Sequence, residues 1–386
     1  MSRHGLRVLI TNRTLATRTG TEVYVRDLAI GLAERGHSPI VYTPLPGEVA
    51  QEIRSRTVPV TDDLLSIAEP PDVIHGHHGL ETLAALLAFP DAPAVTVCHS
   101  WIGWADAPLD FPRVLRYVAV DHTCRDRLRF EHGIPDERIQ VILNSVDLTR
   151  FRPRAPLPAR PKRALVFSNA AGPGRSHLPA IRRACAAAGI EVEVVGASAG
   201  RSLARPEEAL EEFDLVFAKA RAALEAMAVG AAVILCDMTG AGPMVTTANL
   251  DRLRQLNFGM RALQQPVTAE FLAQEIARYD AADAAAVSRA VRANAGTDLM
   301  IEELCSLYGA VVAEHAGGGA GDRLAEQRAA TAYLQELAPR LLQRDILASA
   351  FQGLVRKPLL GRLTRVAAAS SGRPWLAQLL RLEGLD

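Results

Sequence analysis

The stretch from Glu212 to Asp237, EFDLVFAKARAALEAMAVGAAVILCD, constrains the fold of this chain more than any other. The apolar run between Asp214 and Lys219 predicts a short buried strand, Ala220 to Val229 is rich in strong helix formers, Gly230 ends that helix, and Ala232 to Leu235 predicts a second buried strand. The unit is β-α-β, which places the chain in the α/β class. Lys219 and Arg221 open the helix, where unpaired backbone N–H groups and the helix dipole favour an anion, and Glu225 follows one turn later on the same face. Two cations and a carboxylate suit a phosphate beside a sugar hydroxyl. The same residues also suit an ordinary strand-loop-helix unit in which Glu225 answers the helix dipole.

A chain of 386 residues, 49% of them hydrophobic, can bury two α/β cores. Lysine plus arginine and aspartate plus glutamate both number 43, so no overall charge points to nucleic acid. The five cysteines, Cys98, Cys124, Cys185, Cys236 and Cys305, have neither the even count of a disulfide framework nor a C-x-x-C spacing, which fits a reducing cytoplasm. The N-terminus runs directly into a strand, with no signal-peptide pattern, and no apolar run is long enough to span a bilayer. A cytoplasmic protein is expected, or one peripheral at the inner membrane face.

Leu6 to Thr11 predicts the first strand, followed by a polar loop with Gly20 and a helix from Val23 to Arg35 capped by Thr19 or Thr21. Asp72 to Gly79 predicts a strand ending in His75, His77 and His78, three histidines without the spacing of a known zinc motif. Ala94 to Cys98 predicts another, ending at His99, and the carboxyl ends of parallel strands are where ligands collect. After the strand Arg116 to Asp121, a helix is expected from Cys124 to His132. Arg152 to Pro161 is proline-rich and reads as a linker. A second α/β unit begins at Ala164, its loop Ala170 to Arg175 leading into a helix from Leu178 to Ala188, and Met238 to Pro243, with Gly240 and Gly242, reads as a flexible loop able to cover a ligand. Gly317 to Gly321 is a further linker. Between Asp345 and Glu383 there is no acid, but there are Arg356, Lys357, Arg362, Arg365, Arg373 and Arg381 among apolar residues. Such a segment can meet an anionic membrane or a second subunit, or form a helical subdomain.

The run Leu224 to Val233 resembles the L-E-A-M-A-x-G-x-P-V signature of the family 4 retaining glycosyltransferases of the GT-B fold, and Val141 to Phe151 resembles the V-I-x-N-G-V-D-x-x-x-F stretch that joins their domains, with Ser145 in place of glycine. Leu28 to His37 and Asp72 to His77 are similar to two further motifs of that family. The resemblance covers about Leu6 to Ala316. It implies two Rossmann-like domains facing a cleft, here an acceptor-side domain over 1–150, a linker over 151–162, a nucleotide-sugar-binding domain over 163–298, a helix over 299–316 returning to the first domain, and a basic helical extension over 317–386.

The implied activity is that of a hexosyltransferase-like enzyme moving a sugar from a nucleotide diphosphate sugar, with UDP or GDP, to a hydroxyl acceptor, with retention and without a metal or cofactor. In this reading Arg175 and Lys219 stabilise the leaving diphosphate, helped by Arg221, Glu225 holds the ribose, His99 borders the transferred sugar, Gly20 lets a phosphate approach the backbone, and Gly240 and Gly242 belong to the loop that covers the donor. Membrane or subunit contact would fall to 350–382. Two departures stand out. The strand and helix usual between Gly196 and Asp214 are missing or reduced, and the family's first glutamate, eight positions before Glu225, falls on Phe217. A nucleotide-sugar-binding scaffold, or another reaction of the fold such as epimerisation, is the alternative.

Overall fold

The structure, a computed structural model, describes residues 5–171, 177–199, 205–318 and 321–355. Arg175 and the basic stretch 356–382 lie outside the described residues. The chain divides into two compact units: one holds the residues up to Asp147 together with Asn294–Tyr333, the other Leu148–Ala293 and the chain from Leu334.

In the first unit, β1 (Arg7–Thr11), β2 (Ser38–Tyr42), β3 (Val60–Thr61), β4 (Val73–His77), β5 (Ala94–Cys98), β6 (Val114–Ala119) and β7 (Ile139–Val141) form one parallel sheet in the order β3-β2-β1-β4-β5-β6-β7. β4 and β5 are buried along their whole length, as strands covered on both faces must be. The strand order reverses between β1 and β4, so the carboxyl ends of these two strands open a crevice of the kind in which α/β proteins hold ligands.

The helices α1 (Gly20–Glu34), α2 (Glu48–Ser55), α3 (Gly79–Ala88) and α4 (His122–Asp126) connect these strands. Two expectations change here. The α1 helix starts at Gly20, three residues before the expected Val23, and Thr19 stands at the N-cap position without capping, because its hydroxyl donates to the Glu22 carboxylate instead. The helix expected from Cys124 to His132 is α4 followed by a π-helical turn, Arg127–Glu131.

In the second unit, β8 (Arg163–Phe167), α5 (His177–Ala187), β9 (Glu191–Val195), the short α6 (Pro206–Leu210), β10 (Leu215–Ala218), α7 (Ala220–Val229), β11 (Ala232–Asp237) and β12 (Gly240–Met244) build a sheet of order β12-β11-β10-β8-β9. All pairings are parallel except that of β12 with β11. The α7 helix ends as its sequence demands: Gly230 takes a φ of +107°, its N–H donates to Met227 O (3.0 Å), and Ala231 N–H donates to Ala226 O (3.0 Å), closing the last turn. Helices α8 (Leu250–Gln255), α9 (Ala269–Ile276) and α10 (Ala281–Asn294) follow.

The glycine-rich segment expected to be a flexible loop is the strand β12. Ala241 exchanges hydrogen bonds with Gln265 (2.8 and 2.9 Å), and a Cβ on Gly242 would stand 2.4 Å from Ala262 O. Glycine serves close backbone packing here. Gly242→Ala is therefore expected to cost about 1–3 kcal/mol. Thermal unfolding of the ligand-free protein reads this directly, and an unchanged melting temperature would contradict it.

The first unit is completed from far along the chain by α11 (Thr297–Gly317) and the start of α12 (Arg323–Val355). Met300, Ile301, Leu304, Leu307, Tyr308 and Val311 of α11 are buried in its core, and Val146 pairs with Gly296 just before that helix. Ser145, in place of the family's glycine, is buried with its hydroxyl 3.2 Å from Met300 Sδ. The buried Arg113 donates to Leu86 O, Phe89 O and Ala92 O (2.6–3.0 Å) at the end of α3, and forms a two-point ion pair with Glu326 of α12 (2.7 and 3.1 Å).

Candidate functional site

The turn between β10 and α7 gathers most of the charge that the sequence singles out in the second unit. Lys219 is the last extended residue, with φ −137° and ψ 166°. Ala220 is left-handed at φ +49°, a conformation that non-glycine residues adopt only at a cost, and its N–H is fastened to Phe258 O (3.0 Å). Asn257 and Phe258 are themselves left-handed, both at φ +51°, so three strained residues meet at the start of α7. Such strain collects where a backbone must hold one shape for a ligand.

Each cation in the turn has a carboxylate. Lys219 Nζ pairs with Asp237 Oδ2 at the end of β11, and Arg221 Nε donates to Glu225 Oε1 (2.9 Å) one helical turn on. Asp237 is 2% exposed and Glu225 7%, whereas the Lys219 side chain keeps 33% of its surface. Asp237 also accepts a hydrogen bond from Met238 N (2.5 Å). The cluster carries two positive and two negative charges, so an incoming phosphate would compete with Asp237 for Lys219 and add to the N–H groups of the helix. Asp237 was not legible as part of the site. What brings it there is the parallel register of Ala218 with Leu235, which puts the ends of β10 and β11 side by side.

Phe217, at the position of the family's first glutamate, lies within β10 between Val166 and Ile234, fully buried in the apolar core. A side chain there points into packing. Gly240 and Gly242 lie in β12, where a Cβ on Gly240 would stand 2.6 Å from Leu263 O. Arg175 is outside the described residues.

In the first unit, Gly20 begins α1 with open space where a Cβ would stand. His75, His77 and His99 come together with Tyr24 and Tyr308 at the carboxyl ends of β4 and β5. His77 Nδ1 is 2.7 Å from His99 Nε2 with the rings stacked at 4.8 Å, and Tyr24 lies edge-on to both at 5.3 and 5.1 Å. His75 Nδ1 lies 2.6 Å from the hydroxyl of Tyr308 on α11.

Burial sets the charge state of this group. It pushes the His75 imidazolium down to about 3 and holds His77 well below the ordinary histidine range, with neighbouring imidazoles acting in the same direction. It also raises the Tyr308 phenol, which therefore keeps its proton and donates to His75. His75 is thus a structural residue tying α11 to the sheet, and half-buried His99 is the member of the cluster nearer to solvent.

His78 is left-handed at φ +67° and leads into α3, with Nε2 3.8 Å from Asp106 Oδ1. Among the described residues no group of three His, Cys, Asp or Glu side chains is arranged to hold a metal ion. Among them, too, no helix is long and apolar enough to cross a membrane.

One parallel and one largely parallel sheet, each with a strand-order reversal, and a helical C-terminal region define the GT-B fold, and solved structures share it. A glycosyltransferase from Rickettsia africae ESF-5 is similar with a TM-score of 0.58 at 15% identity, over 80% of this chain and 99% of the other. Anabaena Alr3699/HepE in complex with UDP and glucose is similar with a TM-score of 0.57 at 14% identity, over 79% and 100%. Residues 18–150 match the model of Glycosyltransferase Family 4. No curated protein matches the chain in sequence.

Proposed function

We propose that this protein is a glycosyltransferase that moves a hexosyl group from a nucleotide diphosphate sugar to a hydroxyl acceptor, with retention and without a metal. The observation that carries this reading is the Lys219–Asp237 and Arg221–Glu225 pairing at the strained start of α7, beside the strand-order reversal of the second unit. The Family 4 match over 18–150 and the shared fold support it.

In this mechanism Glu225, its rotamer held by Arg221, accepts hydrogen bonds from the ribose hydroxyls. Lys219 leaves Asp237 for the diphosphate, and with Arg175 and the α7 N–H groups it stabilises the charge that develops on the leaving group. His99 borders the sugar. Because the Anabaena structure holds UDP and glucose, uridine is the first base to test.

A panel of UDP-, GDP-, ADP- and TDP-sugars, read by thermal shift and by release of nucleoside diphosphate, tests this. One nucleotide class is expected to stabilise the protein. Glu225→Ala is expected to weaken it by about ten- to a hundredfold, the loss of charged hydrogen bonds worth about 1.5–3 kcal/mol. Lys219→Ala should lower turnover more than binding. No stabilisation by any member would sink the donor site. Binding without diphosphate release would favour a nucleotide-sugar-binding protein that is not an enzyme, a reading to which the burial of Phe217 gives weight.

A further inference from the structure

The loop that leaves β5 at His99 presents two large apolar side chains to solvent. Ile102 is 72% exposed and Trp104 41%, with Trp101 half-buried beside them. Single exposed apolar residues are ordinary, but a Trp-Ile-Gly-Trp run on one short loop is not.

The loop is also held in shape. Ser100 Oγ donates to Asp106 Oδ2 (2.7 Å) and accepts from Gly103 N (3.1 Å), and the buried Arg127 guanidinium donates to Ser100 O (2.5 Å) and Gly103 O (2.9 Å). A Cβ on Gly103 would stand 2.5 Å from Asp106 Oδ2, so a larger residue there would push on the Ser100–Asp106 hydrogen bond. At its far end Leu109 and Phe111 are buried, and Tyr117 donates to Leu109 O (3.0 Å). A loop fixed this firmly around an exposed apolar tip loses little entropy when a ligand covers it.

We propose that the tip formed by Trp101, Ile102 and Trp104 determines acceptor specificity by taking the apolar part of the acceptor molecule, an alkyl chain or flat ring system next to the hydroxyl that reacts. Two observations select this occupant. The tip springs directly from His99 at the carboxyl edge of the sheet, so it is continuous with the acceptor side of the proposed reaction, on which the inference rests. Between His99 and Leu109 there is no lysine or arginine, and the one acid, Asp106, is engaged with Ser100, so the tip attracts a neutral apolar group and not an anionic lipid surface.

The test uses the intact chain without donor, carrying Trp375→Phe so that emission reports on Trp101 and Trp104. It is titrated with methyl, hexyl and octyl β-glucoside below the concentration at which micelles form. Affinity is expected to rise at least tenfold from methyl to octyl, with a blue shift of the emission. Ile102→Ser and Trp104→Ser should flatten that rise while melting temperature and nucleotide binding stay unchanged. Affinity independent of chain length would overturn the proposal, as would a rise that survives in both variants, or a response confined to phosphatidylcholine vesicles. The nucleotide panel reads the second unit alone. Its failure beside a loop-dependent alkyl series would remove the donor assignment and leave the apolar site standing, while the converse result would remove only the loop.

Discussion

Replacing Arg113 with alanine is expected to cost about 3–5 kcal/mol, the penalty for breaking a buried ion pair by removing one partner. At about 2–4 °C per kcal/mol, the melting transition of the first unit should fall by roughly 10 °C. The size follows from what is left behind. Glu326 loses both ends of its two-point pair, and three carbonyls at the end of α3 lose their donor together. Replacing both charged residues, as Arg113→Met with Glu326→Leu, should recover much of the loss, because the buried charge is then removed from both sides. Thermal melts of the two singles and the double decide the matter. If the double variant is as unstable as the sum of the singles, the pair does not act as a unit.

Acid should destabilise the protein through its buried imidazoles. A histidine whose folded pKa lies below the unfolded value of about 6.5 binds fewer protons folded than unfolded, so its contribution is complete above that pH and is lost as pH falls. For His75 the window runs down to about 3, and His77 moves in the same direction. His75 alone should remove about 1 kcal/mol between pH 6 and pH 5, and His77 adds to the loss in the same direction. His75→Gln keeps an acceptor for the Tyr308 hydroxyl and does not titrate. Its stability should therefore fall less over that interval, by about 1 kcal/mol. Equal slopes for the two proteins, measured by denaturant unfolding at each pH, would exclude His75 as a source.

How far the sequence reached depended on whether the signal was local. The bounds of α7 were legible because ten helix formers stand between a cation and a glycine, and a glycine there has a defined backbone task. Arg221 and Glu225 were legible as neighbours because four residues make one helical turn. Asp237 was not, since its approach to Lys219 depends on the register of two strands. The β12 segment misled for the opposite reason. Glycines that usually mark a loop are here the only residues that allow β12 to lie against Ala262 and Leu263. Thr19 had the right place for a cap, but the buried Glu22 took its hydroxyl. The histidines of β4 and β5 could be placed at strand ends from their positions alone, whereas the partner of His75 lies on a helix more than two hundred residues away.

That last distance bears on how the protein is made. The core of the first unit contains Met300, Ile301, Leu304 and Tyr308, yet its seven strands are complete at Val141. On the ribosome the sheet therefore emerges without the helix that covers part of it. At 5–20 residues per second the intervening stretch takes on the order of ten seconds to synthesise. Through that interval the apolar seat of α11 is open to misassociation, while the apolar cluster that Ala164 to Ala284 build around the second sheet is made before α11 begins. The unit that begins the chain thus closes its core only after most of the second unit has been made.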